Sequence, residues 1–91
     1  MRERDIERYL VRRVKELGGE VRKVQWIARA GAPDRLVMVG SHHFWVELKA
    51  PGKTAEPHQL REHARMRKYG MKVVVVDSIE WIDAMLGVPR A

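Results

Sequence analysis

The stretch Gly31-Ala32-Pro33-Asp34-Arg35-Leu36-Val37-Met38-Val39-Gly40-Ser41-His42-His43-Phe44-Trp45-Val46-Glu47-Leu48-Lys49 decides how this chain folds. Arg35 to Val39 reads as a buried strand, Gly40 to His43 has turn character, and Phe44 to Lys49 returns as the antiparallel partner. Gly31 and Pro33 punctuate the break before this hairpin, and Pro51-Gly52 ends it. On the second strand Glu47 and Lys49 stand two apart and share a face, while Val46 and Leu48 point to the other, into the core. Asp34 lies where the chain enters the first strand, so a short hairpin brings its carboxylate near Glu47.

Working outward, Ile6, Leu10, Val14 and Leu17 recur at helical spacing with Tyr9 beside them, and Gly18-Gly19 stops the helix they define over residues 3–17. Residues 20–27 alternate well enough for a half-exposed strand. After the hairpin, a loop feeds a polar, Arg-rich helix over residues 58–69, closed by Gly70. Residues 71–76 are a β-branched run suited to a strand buried on both faces. Asp77, with Glu80 three residues on, matches a helix-capping arrangement and opens a last helix to about Leu86. The order is α-β-β-β-α-β-α. The strands on either side of the polar helix pair in parallel through a right-handed crossover. The expected fold class is α/β, a small mixed sheet flanked by helices, and the 91 residues make a single domain.

Eighteen Lys and Arg against twelve Asp and Glu leave a net charge of +6. That excess favours a polyanionic partner, since neutralised phosphates release counterions. Cysteine is absent, which excludes a disulfide framework and a thiolate metal site. The charged N-terminus has no signal-peptide apolar run, and Val73 to Val76 is far too short to span a bilayer. These features point to a soluble, intracellular protein.

Asp34, Glu47 and the backbone carbonyl of Leu48 are hard oxygen donors, suited to Mg²⁺ or Mn²⁺. Lys49 beside them could orient an attacking water or offset charge on a transition state. Taken alone, the same residues equally describe a surface Glu–Lys pair and a turn-capping Asp. Two further positions bear on the choice. Glu7 falls on the edge of the first helix's apolar stripe, where a carboxylate needs compensation from a metal, a metal-bound water or an internal salt bridge. Glu3, one turn earlier, is the weaker candidate. Gln59, at the start of the polar helix, can reach the end of the strand that carries Glu47 and Lys49.

Glu7, Gly31-Ala32-Pro33-Asp34, Glu47-Leu48-Lys49 and Gln59, in this order and on these elements, resemble the VRR-NUC domain. This is the virus-type replication-repair branch of the PD-(D/E)XK nuclease superfamily, and the resemblance spans nearly the whole chain. It implies a restriction-endonuclease-like core, dependence on Mg²⁺ or Mn²⁺, and DNA cleavage to a 5′-phosphate and a 3′-hydroxyl. It assigns Asp34 and Glu47 as metal ligands, Lys49 as the catalytic lysine, Glu7 as the acid from the first helix and Gln59 as the helical glutamine. The chain is similar to the stand-alone phage-type members, for which homodimers acting on branched DNA such as four-way (Holliday) junctions are expected. Neither a nucleotide cofactor nor a membrane enters that picture.

Outside this centre, Lys53, Arg35, Arg61, Arg65 and Lys68 are candidates for contact with the DNA backbone. His42-His43 diverge from one another with no third ligand nearby, and His58 and His63 do not share a helix face. Both pairs read as structural or solvated. The final helix is apolar on two sides, and Trp81, Met85 and Val88 form the candidate homodimer face. Two alternatives stand beside the structure-selective endonuclease. One is a non-catalytic, basic nucleic-acid-binding module; the other is a nicking or restriction-type endonuclease acting on ordinary duplex.

Overall fold

A computed structural model describes residues 1–87, so Val88 of the candidate dimer face lies outside the described residues. The elements are α1 (Glu3–Glu16), β1 (Glu20–Lys23), β2 (Arg35–Val39), β3 (His42–Leu48), α2 (Pro57–Lys68), β4 (Val73–Val76) and α3 (Ile79–Leu86). They match the order read from the sequence. One sheet holds the four strands in the order β1-β2-β3-β4. The β1–β2 and β2–β3 pairs are antiparallel, and β3–β4 is parallel across the α2 crossover.

Register assigns each side chain to a face. Arg35 pairs with Val46, Val37 with Phe44, and Val46 in turn with Val74. These residues share one face with Leu48 and Val76. On that face Val37, Val46, Leu48 and Val76 pack with Ile6, Leu10 and Val14 of α1 and with Ile82 of α3. Tyr9 and Arg13 join the two helices through buried Asp83: the Tyr9 hydroxyl donates to Asp83 Oδ1 at 2.7 Å, and Arg13 Nε lies 3.7 Å from the same oxygen. Leu36, Trp45, Glu47 and Lys49 alternate onto the opposite face, which α2 covers. Arg67 secures that helix by donating from Nη2 to the carbonyl of Val73 at 2.7 Å, where β4 begins.

Several boundaries move, each for a local reason. The β1 ladder closes at Lys23, although Val24 N–H still donates to Asp34 O at 2.9 Å. Beyond it Trp26 turns inward and gives its Nε1–H to Pro33 O at 2.8 Å, which bends residues 25–33 into a loop. His42 and His43 belong to β3 rather than to the turn, because Val39 pairs directly with His42 and leaves Gly40-Ser41 as the whole connection. The cap of α3 is Ser78, whose Oγ accepts from Trp81 N–H at 3.1 Å. Asp77 is engaged elsewhere, accepting from Gly52 N–H at 3.3 Å. Met85 also departs from expectation. It is partly buried and packs against the core together with Leu86, whereas Trp81 remains 49% exposed.

Within α1, Leu10 is fully buried and its neighbour Val11 is 43% exposed. Leu10→Ala is therefore expected to lower unfolding stability by about 2–5 kcal/mol in urea melts. Val11→Ala should stay within about 0.5 kcal/mol of the parent. Equal losses would mean that α1 does not seat on the sheet as described.

Candidate nuclease active site

Glu47 is the buried centre of the site. The residue is only 8% exposed, and burial pushes its carboxyl up from the usual 4.5 to about 7. Lys49 pulls the other way; Asp34 and Glu3 add to the rise, and Arg35 opposes it. The hairpin thus brings Asp34, Glu47 and Lys49 within electrostatic reach of one another. Asp34 remains half-exposed, with 49% of its side chain open.

The backbone beside Glu47 is unusual as well. Trp45 N–H donates to Lys72 O and Lys49 N–H to Val76 O, so the peptide groups of residues 45, 47 and 49 face β4. Those of residues 46 and 48 therefore face β2. The β2–β3 pairing ends at Arg35 and Val46, so the Leu48 peptide group lies beyond the last paired residues on that side.

Arg35 and Glu7 form a second layer on the α1 face. Arg35 Nε donates to Glu7 Oε2 at 2.6 Å, Nη2 approaches the same oxygen, and Nη1 lies 2.8 Å from Asp34 Oδ1. Burial disfavours the guanidinium charge, but the Glu7 hydrogen bond and the flanking acids outweigh it and hold the pKa above its ordinary value. This corrects the expectation that Arg35 touches DNA, since it is 8% exposed and directed at two carboxylates. It also identifies what compensates Glu7: an arginine on β2. The α1 acid whose charge bears on Glu47 is Glu3, the candidate ranked lower from the sequence.

The α2 side closes the site from behind. Gly31 adopts φ +84°, and a Cβ there would meet His58 O at 2.8 Å and Gln59 Cα at 3.2 Å. Only glycine lets the Gly31-Ala32-Pro33-Asp34 loop lie this close to the helix start. Gln59 Oε1 accepts from Glu56 N–H at 2.8 Å, which commits the oxygen to the helix cap and leaves the NH₂ end as its donor group. His63 is fully buried, and its Nε2 is 3.6 Å from Glu47 Oε1. Burial, reinforced by Arg67, pulls its pKa below the usual histidine value. Sequence reasoning set His63 aside. The signal available was its position four residues after Gln59 on the same helix face.

The remaining candidates lie farther out. Lys53, Arg61 and Lys68 are exposed, while Arg65 is tied to buried Glu62 at 2.8 Å. Glu62 also receives Arg29 from the 25–33 loop at 3.6 Å. His42 and His43 are exposed on the far end of β3, away from Glu47.

Among the described residues no three His, Cys, Asp or Glu side chains converge into a ready-made cation cage. The donor chemistry still fits a divalent ion of the magnesium type, which keeps several waters and takes one or two carboxylates. Glu47 is a buried acid whose proton is favoured by burial and two neighbouring acids; a cation between Asp34, Glu47 and the Leu48 carbonyl would reverse that preference.

Comparison with known proteins bears on the fold and the family. No family model matches the chain. A solved structure described as a VRR_NUC domain superposes with a TM-score of 0.84 at 40% identity, covering 93% of this chain and 94% of that one. The phage protein "Putative nuclease p44" of Acyrthosiphon pisum secondary endosymbiont phage 1 is 46% identical over 79 residues, 86% of this chain and 85% of the relative. The fold and these relatives define a small nuclease domain of the restriction-endonuclease-like class. The chain belongs to the VRR-NUC family.

The raised pKa of Glu47 has a definite sign in stability. Between pH 4.5 and about 7 the unfolded chain releases this proton while the metal-free folded state retains it, so folding stability falls as pH rises through that window. Glu47→Gln is therefore expected to match the parent at pH 4.5 and to be more stable at pH 8 by about 1–3 kcal/mol in metal-free denaturant melts. A variant less stable than the parent at pH 8 would contradict the burial of an uncompensated carboxylate.

Proposed function

We propose that this protein is an Mg²⁺- or Mn²⁺-dependent endodeoxyribonuclease that cuts branched DNA, such as four-way junctions, inside the bacterial or phage-infected cell. The observation that carries this reading is Glu47, a carboxyl buried beside Asp34 and Lys49 whose pKa burial pushes up to about 7. A surface that merely binds phosphate gains nothing from burying a carboxylate there, which disfavours the non-catalytic binding module. Among the described residues no helix is long and apolar enough to cross a membrane, in keeping with a soluble setting.

Asp34, Glu47 and the carbonyl of Leu48 would hold the metal, which when bound polarises the scissile phosphate and lowers the pKa of a water. Lys49 orients that water for attack on phosphorus and offsets the charge that develops on the phosphoryl oxygens. The 3′ oxygen leaves, giving a 5′-phosphate and a 3′-hydroxyl. Gln59 donates its NH₂ end to a phosphate oxygen. Glu7 acts through Arg35, whose guanidinium fixes the orientation of Asp34. Glu3 completes the acidic rim, and Lys53, Arg61, Arg65 and Lys68 supply positive charge along the DNA path.

The decisive assay is cleavage of linear, nicked, flapped and four-way DNA in Mg²⁺ and in Mn²⁺. Four-way and flapped DNA should be cut and linear duplex spared. Lys49→Ala should slow cleavage by at least about 100-fold, the loss typical of a missing electrostatic stabiliser. Binding without cleavage in either metal would defeat the enzyme reading. Equal cleavage of all forms would favour the duplex nickase instead.

A homodimer suits a two-fold junction. Support comes from Trp81 of α3 and Leu60 of α2, which are 49% and 50% exposed and line a common hollow with Val75. Leu60 thus takes the place expected of Met85. Sedimentation velocity at micromolar concentration should show a dimer for the parent and a monomer for Trp81→Glu. A monomeric parent would remove the dimer from the proposal.

A further inference from the structure

A cavity of about 470 Å³ opens beside the active site between the end of β1 and Asp34. Trp26 forms one wall. Its ring is fixed, because Nε1 donates to Pro33 O at 2.8 Å and the ring leans on Trp45 with centroids 5.1 Å apart at 52°. Lys23 and Arg29 stand on the rim, and Gln25 contributes an amide with both a donor and an acceptor. Asp34 belongs to the lining too, so whatever fills the cavity lies next to the reacting phosphate. Immediately beyond Trp26, Ile27 is 92% exposed, and Ala28 at φ +59° turns the chain so that this isoleucine projects from the loop.

A fixed aromatic wall, cations on the rim and a bifunctional amide are what an unpaired nucleotide requires: a π surface for the base, charge for its flanking phosphates and a group to meet its edge. We propose that this cavity takes one unpaired nucleobase adjacent to the scissile phosphate, stacked on Trp26, with Ile27 wedged against the neighbouring base pair. The proposal rests on the nuclease reading and supplies a physical source for branch selectivity. In continuous duplex the base must first be pulled from its stack, which opposes binding. At a branch point the pairing is already broken or strained, so the cavity fills at little cost. An apolar side chain fully in water becomes favourable once it inserts between base steps. Lys23 and Arg29 give the site the charge that a nucleic acid matches and that an apolar partner protein does not.

The test is a binding experiment on the full chain in EDTA, so that its outcome does not depend on cleavage. A flapped duplex is prepared with a single abasic nucleotide moved through the positions around the branch point. One position is expected to weaken binding about ten-fold, within the range of base–aromatic stacking. Trp26→Leu should weaken binding of the intact flap by a similar factor and show no further loss with the abasic DNA at that position. Because Trp26 also packs on Trp45, Ile27→Ser serves as the independent variant. Its site is exposed, and it should lower affinity three- to ten-fold for the flap while leaving linear duplex within two-fold. The proposal is overturned if no abasic position matters, if the Trp26 and abasic losses multiply, or if Ile27→Ser weakens linear and flapped DNA alike. Failure of the nuclease reading shows separately, as absence of cleavage in Mg²⁺ and Mn²⁺ with the abasic effect intact.

Discussion

Burial of the Glu47 carboxylate is the constraint on which the rest of the site depends. Its residue sits in mid-sheet between Val46 and Leu48, both core residues, so the backbone cannot swing it toward water without unseating β3. The opposite face is filled by α1 and the near face by α2, with His63 directly behind the acid. A carboxylate in that position either keeps its proton or finds a cation, and Lys49 two residues on only partly supplies one. The fold therefore holds in readiness a negative charge that it does not itself neutralise. Such an arrangement is costly for stability and useful for binding a divalent ion.

The two acids of α1 divide their work in a way that follows from helix geometry. Glu7 lies on the face that meets β2, and the bond from Arg35 closes a path from α1 through the guanidinium to Asp34. Glu3, a turn nearer the helix start, extends past the sheet and adds its charge at Glu47. Removing Glu7 would leave a buried guanidinium dependent on Asp34 alone, so the Asp34 carboxylate would be drawn toward the arginine. The Glu7–Arg35 pair thus keeps Asp34 available by sharing the arginine between two acids.

Much of this was legible in the sequence, and the failures have physical causes. The alternation of Val46 and Leu48 with Glu47 and Lys49 is a period-2 signal that fixes which side chains meet. Likewise, the apolar positions of α1 fix which face it buries. The partner of Glu7 could not be read in the same way. Arg13 lies on the same helix as Glu7, whereas Arg35 lies 28 residues away and reaches it only through the packing of α1 on β2. His63 escaped because α2 has a weak apolar stripe, and without a phase for that helix its inward face is undefined. Asp77 and Ser78 are both competent caps, and only the Gly52 N–H bond to Asp77 decides between them. Met85 was misplaced for a related reason. On a helix of eight residues, wheel positions 85 and 86 both reach the core once the helix tilts against α1.

On the proposed reading, the Pro-Asp and Glu-x-Lys residues specify the bond to be broken. Which DNA carries that bond is decided by surfaces that touch neighbouring nucleotides. The 25–33 loop is the segment best placed for this, because its two ends are fixed by the active site. Trp26 bonds to the carbonyl of Pro33, Gly31 lies against the start of α2, and Arg29 reaches Glu62. A loop braced by its own Trp26–Pro33 bond and held against α2 at Gly31 and Arg29 cannot adjust freely to a substrate. Its exposed isoleucine and half-covered tryptophan therefore present a nearly fixed profile to the DNA. Rigid, apolar and basic features set beside the Asp34 carboxylate favour a substrate that already has a gap in its stacking. Continuous duplex would have to be distorted to match them, at a cost that a substrate already unstacked at the branch does not meet.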